Sequence, residues 1–166
     1  MSADTLIIGV GNRYRGDDAI GCMIADELKT KCLINTKVID HDGEPASLIY
    51  LWQGYTSVIL IDAVSSGAPT GVIHYIDLCE QALPDRFRNY STHAFGIAEA
   101  VELARILNKL PPKIIFYGVE GKNFFINGKL SQALQKISKA LLQKILDEIK
   151  KEKTTAWIFF NVGFVL

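Results

Sequence analysis

The sequence holds only three cysteines in 166 residues, Cys22, Cys32 and Cys79. They are too few and too scattered for a disulfide framework or a zinc knuckle. An excess of charge is missing as well, since 18 Lys+Arg offset 18 Asp+Glu. No nucleic-acid partner is therefore expected, because such a partner calls for a basic surplus. Long apolar runs are absent. Residues 6–10 are too short for a secretion signal and have no basic stretch before them. Residues 156–166 are strongly apolar, yet they amount to roughly half of a membrane span. No membrane partner and a cytoplasmic location are the expectation.

What is present is a 49% hydrophobic chain long enough for one full core, which argues against disorder. Short apolar runs alternate with helical periodicity, the pattern of a sheet with helices on its faces. Strands are expected at 5–10, 36–39, 57–61, 72–76 and 113–119, with Asp62 at the end of the third. Only a short Gly/Pro-rich turn, 65–71, separates the third strand from the fourth. A parallel crossover needs a dozen residues or more, so an antiparallel neighbour is expected there. Ile20, Met23, Ile24 and Leu28 predict a first helix, 46–52 a short second, and Ile97, Val101, Ala104 and Leu107 a third, ended by Pro111-Pro112. Leu130, Leu134, Ile137, Leu141, Ile145 and Ile149 line one face of the last, with its lysines in water. The expected fold is a three-layer α/β/α domain over 1–150, with a mostly parallel, twisted five-stranded sheet carrying one antiparallel strand. Residues 151–166 read as a charged linker and apolar tail.

Gly9, Gly11 and Gly16 follow the first strand, but the dinucleotide spacing fails at Tyr14. A P-loop fails too, because Asp17 and Asp18 stand where Lys and Ser/Thr belong, and paired carboxylates repel phosphate. Asp17 reads as a cap for the helix that follows. Asp18 reads differently, because other polar groups converge on the same sheet edge, where open α/β sheets bind ligands. Asp62 ends the third strand and His93 precedes the helix leading into the last. Two carboxylates and an imidazole suit a borderline divalent ion such as nickel or zinc, although any one of them alone is more often structural.

Residues 9–21, Gly-Val-Gly-Asn-Arg-Tyr-Arg-Gly-Asp-Asp-Ala-Ile-Gly, resemble the opening motif of the [NiFe] hydrogenase maturation endopeptidases. Ile61-Asp62-Ala63-Val64 is similar to the family's strand-terminal Asp-Ala segment, and residues 91–96 to its Ser-x-His-x-x-Gly segment. Gly118-Val119-Glu120 fits the end of its last strand. The resemblance implies removal of a C-terminal extension from a hydrogenase large-subunit precursor once nickel is inserted. It implies an aspartic or metal-dependent endopeptidase whose metal-binding and catalytic positions fall on Asp18, Asp62 and His93. The nickel is expected to be borne by the substrate, with zinc or cadmium able to substitute in the site. Asn12 and Gly11, with the loop amides, are expected to orient the peptide. The other reading of the same trio is a non-catalytic nickel-sensing or chaperone-like binder. Monomer or weak homo-oligomer is the expected state.

Two places depart from the family pattern. A Gly-Gly-Thr-like loop is common where this chain has Asp40-His41-Asp42-Gly43-Glu44-Pro45, and the tail from Trp157 has no counterpart. His41 reads as part of a solvated turn rather than a metal ligand. His74 reads as structural or surface, and Cys22 as a packing residue. Ser91 and Thr92 show no ordered Ser-His-acid set.

Overall fold

A computed structural model describes residues 4–88 and 92–162, with side chains given for 4–87 and 96–154. Five strands form one sheet: β1 (Thr5–Val10), β2 (Thr36–His41), β3 (Ser57–Val64), β4 (Ile73–Asp77) and β5 (Lys113–Glu120). A 3-10 turn, Gly16–Ala19, leads into α1 (Ile20–Lys29). The other helices are α2 (Pro45–Leu51), α3 (Asp85–Arg88), α4 (Thr92–Ile106) and α5 (Gln132–Val162).

The strand order is β2-β1-β3-β5-β4, parallel throughout except for β4. β1 and β3 are buried along their whole length, as central strands covered on both faces must be. The side chains of β1, β3 and β5 alternate between two cores. Ile7, Ile59, Ile61 and Ile115 face α1 and α5, against Ile20, Ile24, Leu141 and Ile145. Leu6, Ile8, Leu60 and Phe116 face α2 and α4, against Leu48, Trp52, Ile97 and Val101. The three-layer fold with one antiparallel strand is as expected.

Three details differ from the sequence expectation. β4 is antiparallel, but its partner is β5 rather than β3, because β5 inserts between the two after the α4 crossover. β3 runs on to Val64, so Asp62 lies inside the strand with two residues beyond it. The stretch from 151, read as a linker, continues α5 as helix to Val162. Glu152 explains part of this: its carboxylate accepts from Ser57 Oγ at 2.7 Å and pairs with Lys113 at 3.0 Å, tying the helix to the sheet past residue 150. Residues 163–166 of the tail lie outside the described residues. Among the described residues no helix is long and apolar enough to cross a membrane.

Candidate functional site

The chain leaves β1 toward β2 on one side and returns to β3 on the other. The C-terminal ends of β1 and β3 therefore form a topological switch point, where open sheets bind ligands. The loop after β1 turns sharply at Gly11, whose φ of +137° lies where side chains are rarely tolerated. A Cβ there would also collide with the Asp18 carbonyl. Gly11 thus lets the 3-10 turn fold back onto the strand end and sets the Asp18 carboxylate beside it. Asp18 is 2% exposed and Asp62 0%. The Arg15 guanidinium stands 3.8 Å from Asp18 Oδ2, a neighbour that sequence reasoning passed over.

Asp62 has the parity of Leu60 and Val64, so it belongs to the α2/α4 face. α4 runs back from the strand-end edge into β5, which places its first turn, and the His93 backbone, at the same edge as the two acids. The His93 side chain lies outside the described residues. Gly96, one turn on, explains how α4 approaches so closely: a Cβ there would meet the Gly43 carbonyl oxygen, with the Gly43 carbon at 3.3 Å. Backbone from the loop after β2 therefore touches the helix that carries His93. Among the described side chains no three of His, Cys, Asp or Glu are grouped to hold a metal, and the His93 side chain is not among those described.

That loop is built by two residues with local tasks. The His41 ring accepts the Gly43 N–H at Nδ1, 2.9 Å, which leaves the proton on Nε2 to donate to Ser47 Oγ at 2.9 Å. His41 is thus not a solvated turn residue: both ring nitrogens are committed to shaping the loop. Glu44 accepts from the amides of Ala46 and Ser47 at 2.9 and 2.7 Å, capping α2 behind Pro45 at its first turn. The charge that distinguishes this loop from the family pattern is used as a helix cap.

A cleft of about 710 Å³ opens between the two loops, with Gly11, Asn12 and Tyr14 on one wall and His41 and Glu44 on the other. Asn12 turns its side-chain oxygen onto the Tyr14 amide at 2.9 Å, stiffening the wall. Cys22 reaches the cleft with its thiol directed at the Gly11 carbonyl, 3.6 Å away. Burial pushes that thiol up to about 11, so it packs rather than reacts. Arg13 and Lys29 pair with Asp26 and Asp40 at the rim. Hydrogen bonding to Arg13 draws the Asp26 carboxyl down to about 2, and bonding to Lys29 lowers that of Asp40.

Asp17 does something the sequence did not disclose. It caps neither the 3-10 turn nor α1. Instead its wholly buried carboxylate accepts backbone N–H groups from Lys122 (2.9 Å), Asn123 (3.0 Å) and Ser131 (2.6 Å), fastening both ends of the loop between β5 and α5. Glu120 is a second such clamp. It takes the Ser66 amide and hydroxyl, the Gly67 amide and His74 Nε2, which makes His74 structural, as expected.

Fold and site together define an open α/β protein with buried acids at the switch point of its sheet. Comparison with known proteins gives this class its family. Residues 22–148 match the model of a family described as hydrogenase maturation protease. A putative hydrogenase maturation protease of Methanocaldococcus jannaschii is 32% identical over 154 residues, covering 89% of this chain and 97% of the relative. The hydrogenase 2 maturation protease of Escherichia coli is 25% identical over 156 residues, covering 91% and 93%. Among solved structures, the hydrogenase maturating endopeptidase HybD from E. coli shares the fold, with a TM-score of 0.79 at 22% identity, over 92% of this chain and 94% of that one. The chain belongs to the hydrogenase maturation protease family.

Proposed function

We propose that this chain is an endopeptidase that removes the C-terminal extension of a [NiFe] hydrogenase large-subunit precursor after nickel insertion. It recognises the substrate-borne nickel through Asp18, Asp62 and His93. The observation that carries this reading is the burial of two carboxylates at the ligand-binding edge of a fold whose family is defined by maturation proteolysis. Taking a carboxylate out of water is costly, so a buried acid has a task. Asp17 and Glu120 clamp loops, whereas Asp18 and Asp62 stand at the switch point where open sheets bind ligands.

Nickel enters as part of the substrate, held by large-subunit thiolates. Carboxylate and imidazole donors complete the sphere of a borderline ion without closing it, so the substrate keeps its own ligands. Docking on the metal brings the peptide beside the cleft, where the amides of the 11–16 loop and Asn12 orient the scissile carbonyl. Fixing that geometry lowers the barrier by removing orientational freedom from the reacting pair. A precursor without metal lacks the anchor and is left intact.

The test uses a purified nickel-loaded precursor with the wild-type chain, Asp18→Asn and Asp62→Asn, reading precursor binding and C-terminal mass in parallel. The protease reading expects mass loss with the wild type and a fall of about 100-fold or more for either variant, the scale of removing one group that acts in the transition state. Binding by the wild type without any mass loss assigns the protein to the sensing, chaperone-like class instead.

A further inference from the structure

The loop from Gly121 to Ser131 carries exposed apolar side chains on a firmly anchored backbone. Phe124 and Leu130 pack down onto the α1/α5 core, while Phe125 and Ile126 stand in solvent at 77% and 75% exposure. Tyr14, from the loop after β1, is 72% exposed beside them. The two loops are bonded together: Asn127 N–H donates to the Tyr14 carbonyl at 2.7 Å, Arg15 Nε to the Phe124 carbonyl at 3.3 Å, and Arg15 bridges to Gly128. Within the loop, Gly128 N–H closes a turn onto the Phe125 carbonyl at 3.0 Å, and Asn123 Nδ2 reaches the Lys129 carbonyl at 3.0 Å. Beneath it lies the buried Asp17 carboxylate with its three amides.

Single exposed apolar residues are ordinary on any surface. Here three large ones are carried on two loops bonded to each other and anchored on a buried charge. Apolar groups held rigid in water mark a contact surface, and the rigidity lowers the ordering cost of binding. Two features name the occupant. Tyr14 is both part of the patch and a wall of the cleft, so whatever enters the cleft meets the patch. The exposed Lys122 and Lys129 flank the apolar tip, favouring an apolar segment bordered by acidic residues.

We propose that Tyr14, Phe125 and Ile126 form an exosite that binds an apolar, acid-bordered surface of the polypeptide substrate, away from the scissile bond. This rests on the protease reading of the cleft. The exosite supplies affinity for the folded precursor, while the strand-end acids inspect its metal.

The experiment measures the Kd of a purified nickel-loaded large-subunit precursor, together with kcat and KM for its cleavage. The chains compared are the wild type, Phe125→Ser/Ile126→Ser, Lys122→Glu/Lys129→Glu and Ile106→Ser. Ile106 is equally exposed, at 77%, but lies at the far end of α4. All four are checked for unchanged circular dichroism, and their sedimentation and binding to phosphatidylserine vesicles are read beside Kd. The first variant is expected to raise Kd and KM about tenfold or more, with kcat within twofold. The lysine pair raises both and flattens their salt dependence, and Ile106→Ser changes neither. Unchanged Kd and KM in Phe125→Ser/Ile126→Ser overturn the proposal. So does loss of a wild-type dimer, or of binding to phosphatidylserine vesicles, with precursor affinity intact. Because Kd is taken from the association phase, before cleavage sets in, a wild-type chain that binds but does not cleave refutes the protease reading and still decides the exosite.

Discussion

Asp17→Asn separates the two adjacent acids of the first loop. In the native chain Oδ2 accepts two N–H groups, from Lys122 and Asn123, and Oδ1 accepts the third, from Ser131. Asparagine keeps one acceptor. Its best placement retains the two-bond side and turns an NH2 toward the Ser131 amide, leaving two donors face to face in a dry site. Losing a hydrogen bond to a charged group costs about 1.5–3 kcal/mol, and the two retained bonds weaken with the charge. Relief of the desolvation penalty works in the other direction but does not supply the missing acceptor. The expected net loss is about 2–4 kcal/mol, a large share of the roughly 5–15 kcal/mol that holds a domain folded. Urea unfolding measures the total, and amide exchange at residues 122–131 shows where it arises. Asp18→Asn, one residue on, removes none of those three acceptors, so exchange of the Lys122, Asn123 and Ser131 amides is expected to stay near the wild type while cleavage falls. A stability change below about 0.5 kcal/mol in Asp17→Asn, with unaltered exchange in the loop, refutes the anchor.

Four further outcomes follow from the same structure. Gly96→Ala places a Cβ against the Gly43 carbonyl, so α4 must shift; a loss of about 1–3 kcal/mol in urea unfolding is expected, with cleavage falling further than the unfolded fraction explains. Thiol labelling of the native chain at pH 8 should modify the exposed Cys32 first, Cys79 more slowly, and Cys22 only on unfolding. Burial raises the Cys22 thiol above its unfolded value, so the stability it contributes is lost as pH rises from about 8.5 toward about 11. Asp26 is depressed, so the Arg13 cluster stabilises above about pH 4 and fades as pH falls to about 2. Arg13→Gln should flatten that acid limb of the urea midpoint, by a small amount because the pairs are half exposed.

The layered fold and the edge that carries the acids were legible because both are written in local patterns. β1 and β3 are unbroken apolar runs, the helices show their periodicity, and the Asp18 loop follows a strand directly. What escaped was long-range. Asp17 looked like a helix cap because its true partners lie more than a hundred residues away, and no periodicity links Asp17 to Ser131. The short 65–71 turn correctly implied an antiparallel β4, but not that β5 would take the place between β3 and β4. His41 looked solvated because its acidic neighbours suggest a turn, whereas the ring folds inward onto Ser47 and Gly43. Gly96 entered only as the last residue of the 91–96 segment and Gly43 only as part of the 40–45 loop; their contact is what shows how that loop positions the start of α4.

On the proposed reading, cleavage depends on metal carried by the substrate. That dependence is tested most directly by incubating the wild-type chain with nickel-loaded and nickel-free forms of one large-subunit precursor and weighing the product by mass spectrometry. Loss of the C-terminal extension from the loaded form alone is expected. Equal cleavage of the nickel-free form, or none of a loaded form that binds, contradicts that reading.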